Sequence, residues 1–226
     1  MKKLIPLLLA ALLTVSCLRL PEIISSSQSA KNTAVCPAPF TKEKYRFVHA
    51  IEASIAGEAG GALIGVTIVD PTLRFVSCAI MTVEGLVLFQ AESGKSLRVI
   101  KALHPFDSEE FAVNLIADIK LIFFAPAGEL EKAGKTEAGA TVCRYRQQDG
   151  RRVDVISDSR GNSEINLYSS WKNLKRRILL TPSGGSSYQR IELQARETVN
   201  YSLIMTLIEA QPIEGDTAQD ESKSQE

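Results

Sequence analysis

Side chains able to do acid–base, nucleophilic or metal chemistry are sparse in this chain. Its 226 residues contain two histidines, His49 and His104, and histidine is the side chain whose ordinary pKa lies nearest neutrality. His49 shares one face of an alternating segment with Phe47 and Ile51, and His104 precedes a proline just ahead of a helical pattern. Both placements suit a structural role. Asp107, Glu109 and Glu110 bring carboxylates together as general acid–base work requires, but helix capping and the helix dipole already account for them. No Gly-rich phosphate loop, nucleophile elbow or zinc-type Cys/His spacing occurs. The expectation is a protein that is not an enzyme, with no catalytic residue, no metal and no cofactor.

Four cysteines remain, Cys17, Cys36, Cys78 and Cys143. Lys2 and Lys3 precede the apolar run Leu4 to Leu13, and the small residues Thr14 and Ser16 lead into Cys17. This is an export signal over residues 1–16, and its apolar run is too short to span a bilayer. The residues LLTVSC resemble a bacterial lipobox, which implies that Cys17 is lipidated and becomes the mature N-terminus. Thr14 stands where the lipobox usually has leucine, so cleavage that leaves Cys17 unmodified is the alternative. Leu18, rather than aspartate, after the cysteine implies sorting to the outer membrane, with the body facing the periplasm. Export places the other cysteines in an oxidising compartment where one pair can be bridged, and no pairing can be chosen. Cys78, inside a strand pattern, reads as a buried thiol.

The element that must organise the body is the helix expected over Asp107 to Phe124. Phe111, Ala112, Leu115, Ile116, Ile119, Ile122 and Phe123 fall on one apolar arc, Asp107 can cap the first turn, and Pro126 ends it. Strand patterns flank it. Five precede it, over Tyr45–Gly57, Ala62–Val69, Leu73–Thr82, Leu86–Ala91 and Ser96–Ala102. Six follow, over Thr141–Gln147, Arg152–Ser157, Glu164–Ser169, Arg177–Leu180, Gln189–Ala195 and Tyr201–Ile208. A polar, Gly-containing loop is expected between the helix and Thr141. The predicted organisation is therefore a flexible lipid-anchored tether over 17–40, a folded domain over 41–213 and a disordered tail over 214–226. The formal net charge is zero, and removing signal and tail leaves the body only weakly basic, so nucleic acid is not an expected partner.

Several strands are apolar on both faces. Leu73, Phe75, Ala79 and Met81 alternate with Val76, Cys78 and Ile80, and Leu86 and Leu88 alternate with Val87 and Phe89. Either helix and loops cover one side and crossing strands the other, leaving no space between, or a curved sheet keeps an apolar cavity that the helix only partly fills. On the second reading Phe75, Met81, Leu88, Ile116, Ile119 and Phe123 are the candidate cavity residues. Trp171, with Lys172, Lys175, Arg176 and Arg177, and a neighbouring hairpin with Arg144, Arg146, Arg151 and Arg152, forms a basic patch. It is either a contact for anionic lipid headgroups, with Trp171 at the interface, or a solvated edge protected by charge.

The lipobox, the meander LRFVSCAIMTVEGLVLF, the helix end ADIKLIFFAP and the closing pair YQRIELQARETVNYSLIMTLIEA together resemble the LolA/LolB-like lipoproteins. The resemblance covers about Tyr45 to Gln211. It implies a curved, unclosed antiparallel half-barrel, here of about 11 strands with a central capping helix, whose apolar cavity takes the acyl chains of lipoproteins or other lipids. In LolB a hairpin carries a membrane-engaging leucine; the comparable turn here, Thr82-Val83-Glu84-Gly85, offers Val83 beside a charged Glu84. The functional expectation is an outer-membrane-anchored, acyl-chain-binding protein with a possible envelope protein partner. The alternative is a structural or assembly subunit with a filled core.

Overall fold

A computed structural model of the chain describes residues 20–24, 36–183, 187–197 and 200–213. Cys17, the expected signal and the expected tail lie outside the described residues. Among the described residues the chain forms twelve strands and one helix. The first five strands are β1 (Tyr45–Ile55), β2 (Glu58–Asp70), β3 (Phe75–Thr82), β4 (Val87–Ser93) and β5 (Leu97–Ala102). Helix α1 spans Glu109–Phe123. After it come β6 (Glu129–Lys135), β7 (Thr141–Arg146), β8 (Arg152–Ser157), β9 (Ser163–Tyr168), β10 (Leu174–Pro182), β11 (Tyr188–Ala195) and β12 (Tyr201–Pro212).

All twelve strands form one antiparallel sheet in the order β5-β4-β3-β2-β1-β12-β11-β10-β9-β8-β7-β6. The order is that of a meander opened in the middle. The first and last strands, β1 and β12, pair at its centre, so the two strands that flank the helix in sequence, β5 and β6, become the sheet's opposite edges. The helix is thereby the chain's passage from one edge to the other. The sheet curves around it as an unclosed half-barrel. Apolar side chains from both halves, among them Phe47, Val76, Phe89, Val155, Ile178 and Ile191, join Ala112, Ile116, Ile119, Ile122 and Phe123 of α1 in one core.

The helix begins two residues later than Asp107. Ser108 is its N-cap, accepting from the Phe111 amide at 3.1 Å, while Glu109 and Glu110 sit in the first turn. The chain leaves helical geometry at Phe124, two residues ahead of Pro126. Gly85 at φ +91°, after Glu84, and Gly150 at φ +80°, after Asp149, make tight turns between strands. Of Gly57, Gly60 and Gly61, whose cluster predicts a turn, Gly57 makes the β1–β2 turn with Ala56, and the other two lie within β2.

β6 stands where a loop was expected. Its sequence ELEKAGK is mostly exposed and charged, as an edge strand needs to be if it is not to recruit another chain. Its outer edge is partly covered by the chain itself. Ile24 and Lys135 exchange two backbone hydrogen bonds of 2.9 and 3.0 Å, and Ile23 is buried. Gly134 makes the approach possible, because a Cβ there would stand well inside contact distance of the Ile24 carbonyl. Cys36 is then disulfide-bonded to Cys143 in β7. The stretch read as a free tether is thus fastened to the body at residues 20–24 and again at Cys36. Cys78 is a buried free thiol whose pKa burial pushes up to about 12.

Candidate functional site

The alternation of β3 and β4 decides which of their two apolar faces meets the helix. Val76, Cys78 and Ile80 of β3 and Phe89 and Ala91 of β4 are buried and belong to the core. Phe75 and Met81 lie on the opposite face of β3, only partly buried, and Leu88 alternates with the buried Phe89 in β4. The six candidate cavity residues therefore divide. Ile116, Ile119 and Phe123 are on the concave side within the core, whereas Phe75, Met81 and Leu88 line the outside of the sheet. Strand periodicity separates the two sets but carries no sign for inside when both are apolar.

The concave surface is occupied by α1. Phe123 stacks on Phe47 of β1 with ring centroids 4.8 Å apart, and Phe89 meets Phe111 edge to face at 5.2 Å. Polar contacts fasten the same helix. Asp118, buried on the apolar arc, accepts from Arg176 Nε of β10 at 2.7 Å and from the Tyr201 hydroxyl of β12. Arg176 also donates to Glu197 at 2.7 Å, and Lys120 donates to Ser93 at 2.9 Å. Burial pushes the Asp118 carboxyl upward, and the Arg176 guanidinium and Tyr201 hydroxyl oppose that shift. A guanidinium stays charged in proteins, so the contact is a buried ion pair tying α1 to the sheet. Asp118 was legible in principle: it stands three residues after Leu115 and four before Ile122, a charge within an apolar arc. Its partners come from strands about 60 and 80 residues away and have no local signal.

A pocket lies beside the C-terminal end of α1. Phe47, Phe123, Tyr188 and Ile191 form its apolar walls, Pro39 and Thr41 enter from the segment before β1, Ser187 from the segment before β11, and His49 completes it. It encloses about 20 Å³, room for roughly one water. His49 is 3% exposed, its ring lies 6.0 Å from that of Phe47 and 6.5 Å from that of Phe123, and its Nε2 has no hydrogen-bond partner. Burial lowers its pKa to about 4, so the imidazole is neutral at ordinary pH. His104 is exposed, with Nδ1 3.7 Å from the Asp107 carboxylate. Among the described residues no three His, Cys, Asp or Glu side chains are grouped as a metal site would need.

Most of the expected basic patch is neutralised. Arg177 pairs with Glu164, Lys175 with Glu197, Arg151 with Asp149, and Arg152 with Glu131. Arg144 forms two 2.7 Å bonds with the fully buried Asp154 and a third, of 2.9 Å, to the Pro21 carbonyl. These arginines and lysines serve the sheet and the N-terminal segment, which favours the reading of a charge-protected surface. Trp171 is 86% exposed on the turn between β9 and β10, and Val83 is 62% exposed on the turn between β3 and β4. Four strands, β2, β1, β12 and β11, separate β3 from β10 in the sheet, so the two side chains belong to different parts of the rim.

Neither a family model nor a curated protein matches the chain. Among solved structures it is similar to the crystal structure of a LolA superfamily protein from Nitrosomonas europaea, with a TM-score of 0.52 and 11% sequence identity. The match covers 77% of this chain and 88% of the other. The fold is thus LolA-like: an unclosed antiparallel sheet curved around a helix.

Proposed function

We propose that the chain is a non-enzymatic, lipid-anchored outer-membrane protein facing the periplasm. It holds an acyl chain in the concavity that α1 now fills and exchanges that chain with an envelope partner. The observation that carries this reading is the way α1 is attached. The helix belongs to no strand ladder; side chains and a single described backbone bond along its length, from the Thr41 amide to the Phe123 carbonyl at 3.2 Å, hold it in the sheet. Withdrawing it leaves all eleven strand pairings intact and opens an apolar surface built by Phe47, Val76, Phe89, Ile178 and Ile191. An acyl chain laid there replaces the helix's apolar face, at about 25 cal/mol per Å² of apolar surface removed from water. Such binding favours long chains. Ile116, Ile119 and Phe123, on the helix, are the candidate residues that trade places with the ligand.

Lipidation at Cys17 gives this body a definite stance. Only Leu18 and Arg19 separate Cys17 from Leu20, and at about 3.3–3.6 Å per residue the three steps span no more than about 11 Å. Because residues 20–24 lie against β6 and β7, a lipid on Cys17 holds that side of the half-barrel near the bilayer. Val83 and Trp171 are the proposed further membrane contacts.

The rival reading is a structural or assembly subunit, and the filled concavity favours it. Native mass spectrometry of the protein purified gently from a bacterial envelope extract separates the two. A discrete added mass of a fatty acid, glyceride or phospholipid supports the carrier. A bare protein mass that does not change when lipid is added to the folded protein sinks it and leaves the subunit.

A further inference from the structure

The pocket beside α1 contains one feature that apolar burial does not explain. His49, one of the residues lining the pocket, is 3% exposed, and its Nε2 has no partner. An orphaned buried nitrogen is destabilising, and an apolar side chain of the same shape would avoid it. A hydrogen-bonding group set beside Phe47, Phe123 and Ile191, in a lining that also holds the hydroxyl-bearing Thr41, Ser187 and Tyr188, is what a site needs to orient an otherwise apolar ligand.

We infer that this pocket receives the head of an uncharged acyl lipid, an ester or alcohol, whose oxygen pairs with His49 Nε2 while its chain runs into the part of the concavity that Ile119 and Ile116 now fill. The inference rests on the acyl-binding reading above and gives it a selectivity. Among the described residues, none that lines the pocket is Lys, Arg, Asp or Glu. An ionised carboxylate or phosphate buried there would lack a counter-charge, which is strongly unfavourable. A neutral imidazole provides one donor and one acceptor and so matches a hydroxyl or an ester carbonyl without any charge. The pocket at present encloses about 20 Å³, the size of the polar atom it would take, while the space for the chain is what α1 must yield. Phe123 joins the two regions, because it walls the pocket and belongs to the buried face of the helix.

The presence of two histidines makes the test direct. The full chain labelled with isotopic histidine is titrated with 1-monoolein, and separately with oleate at about pH 8, where its carboxylate is ionised. His104, with a side chain 89% exposed, is the internal reference. The expected result is that monoolein moves the His49 ring resonances and leaves His104 in place, and that it binds at least about threefold more tightly than oleate. His49→Phe should weaken monoolein binding by about threefold to tenfold, the range for one neutral hydrogen bond, and so remove its advantage over oleate. The ring resonances are read on the unaltered protein, so the outcome does not depend on that variant folding. Monoolein binding without movement of His49, as when a water occupies Nε2 throughout, or oleate binding equally well, overturns the inference and leaves the acyl reading standing. Binding of neither lipid overturns both.

Discussion

Asp118, in the middle of α1, and Arg176, in β10, meet at 2.7 Å with both side chains almost wholly buried. The pair fastens a helix to a sheet with which it shares no strand ladder. A buried ion pair need not add stability over an apolar replacement, but losing one partner leaves a charge stranded. Asp118→Ala is expected to cost about 3 kcal/mol, toward the lower end of the usual range because Glu197 still pairs with Arg176. The double change Asp118→Leu with Arg176→Met should recover most of it. Urea unfolding of the three proteins measures both. If the single variant is as stable as the parent, the pair is not what holds the helix.

The same contact bears on ligand uptake. If α1 leaves the concavity to admit an acyl chain, loosening it should raise the affinity for an apolar dye. Asp118→Asn at a temperature where it remains folded should take up such a dye more tightly than the parent, by a factor of about five or more. Equal uptake would mean that the helix does not move aside.

Acid should destabilise the protein through His49. Its pKa is lowered from 6.5 to about 4 in the folded state by burial, so between those values the unfolded chain binds a proton that the folded one refuses. Stability is complete above about pH 6.5 and falls as pH drops toward 4, by about 2 kcal/mol between pH 7 and pH 5. His49→Leu should remove that share of the slope. Urea midpoints for parent and variant at the two pH values give the comparison, and parallel curves would mean that His49 does not titrate this way.

The Cys36–Cys143 bridge closes a loop across a sequence separation of 107. Chain-entropy arguments assign a loop of this size about 4–5 kcal/mol, and measured values for native bridges run from about 2 to 5. Replacing both cysteines by alanine should lower the melting temperature by several degrees and free the segment that precedes β1. Unchanged melting would show that the bridge between Ile24 and Lys135 suffices to hold it.

Trp171 is the chain's one tryptophan, so its fluorescence reports a single place. If the turn between β9 and β10 meets the bilayer, vesicles containing an anionic phospholipid should shift its emission to the blue, and Trp171→Ala should reduce vesicle binding with a stability change within about 0.5 kcal/mol. No shift at any vesicle concentration removes Trp171 from the membrane face. The corresponding test for Val83 is Val83→Asp in the same binding assay.

Much of this fold follows from local pattern. The arc from Phe111 to Phe123 makes the helix, alternation and Gly85 or Asp149-Gly150 turns make eleven strands, and short connections favour antiparallel neighbours. Those signals are local because they arise from one segment choosing a face. Three things have no such origin and were settled only by tertiary structure. The first is which face of β3 is inside: Val76, Cys78 and Ile80 point to the helix and Phe75 and Met81 away, because pairing across the whole curved sheet, not the composition of one strand, decides the sign. The second is β6, whose charges hide a strand since an edge needs only one partner, and which is held between β7 and the Ile24 segment. The third is the set of distant partners. Cys36 finds Cys143, Asp118 finds Arg176 and Tyr201, and His49 joins Phe123 and Tyr188 at one pocket only when β1 and β12 pair at the centre and close the meander around its helix.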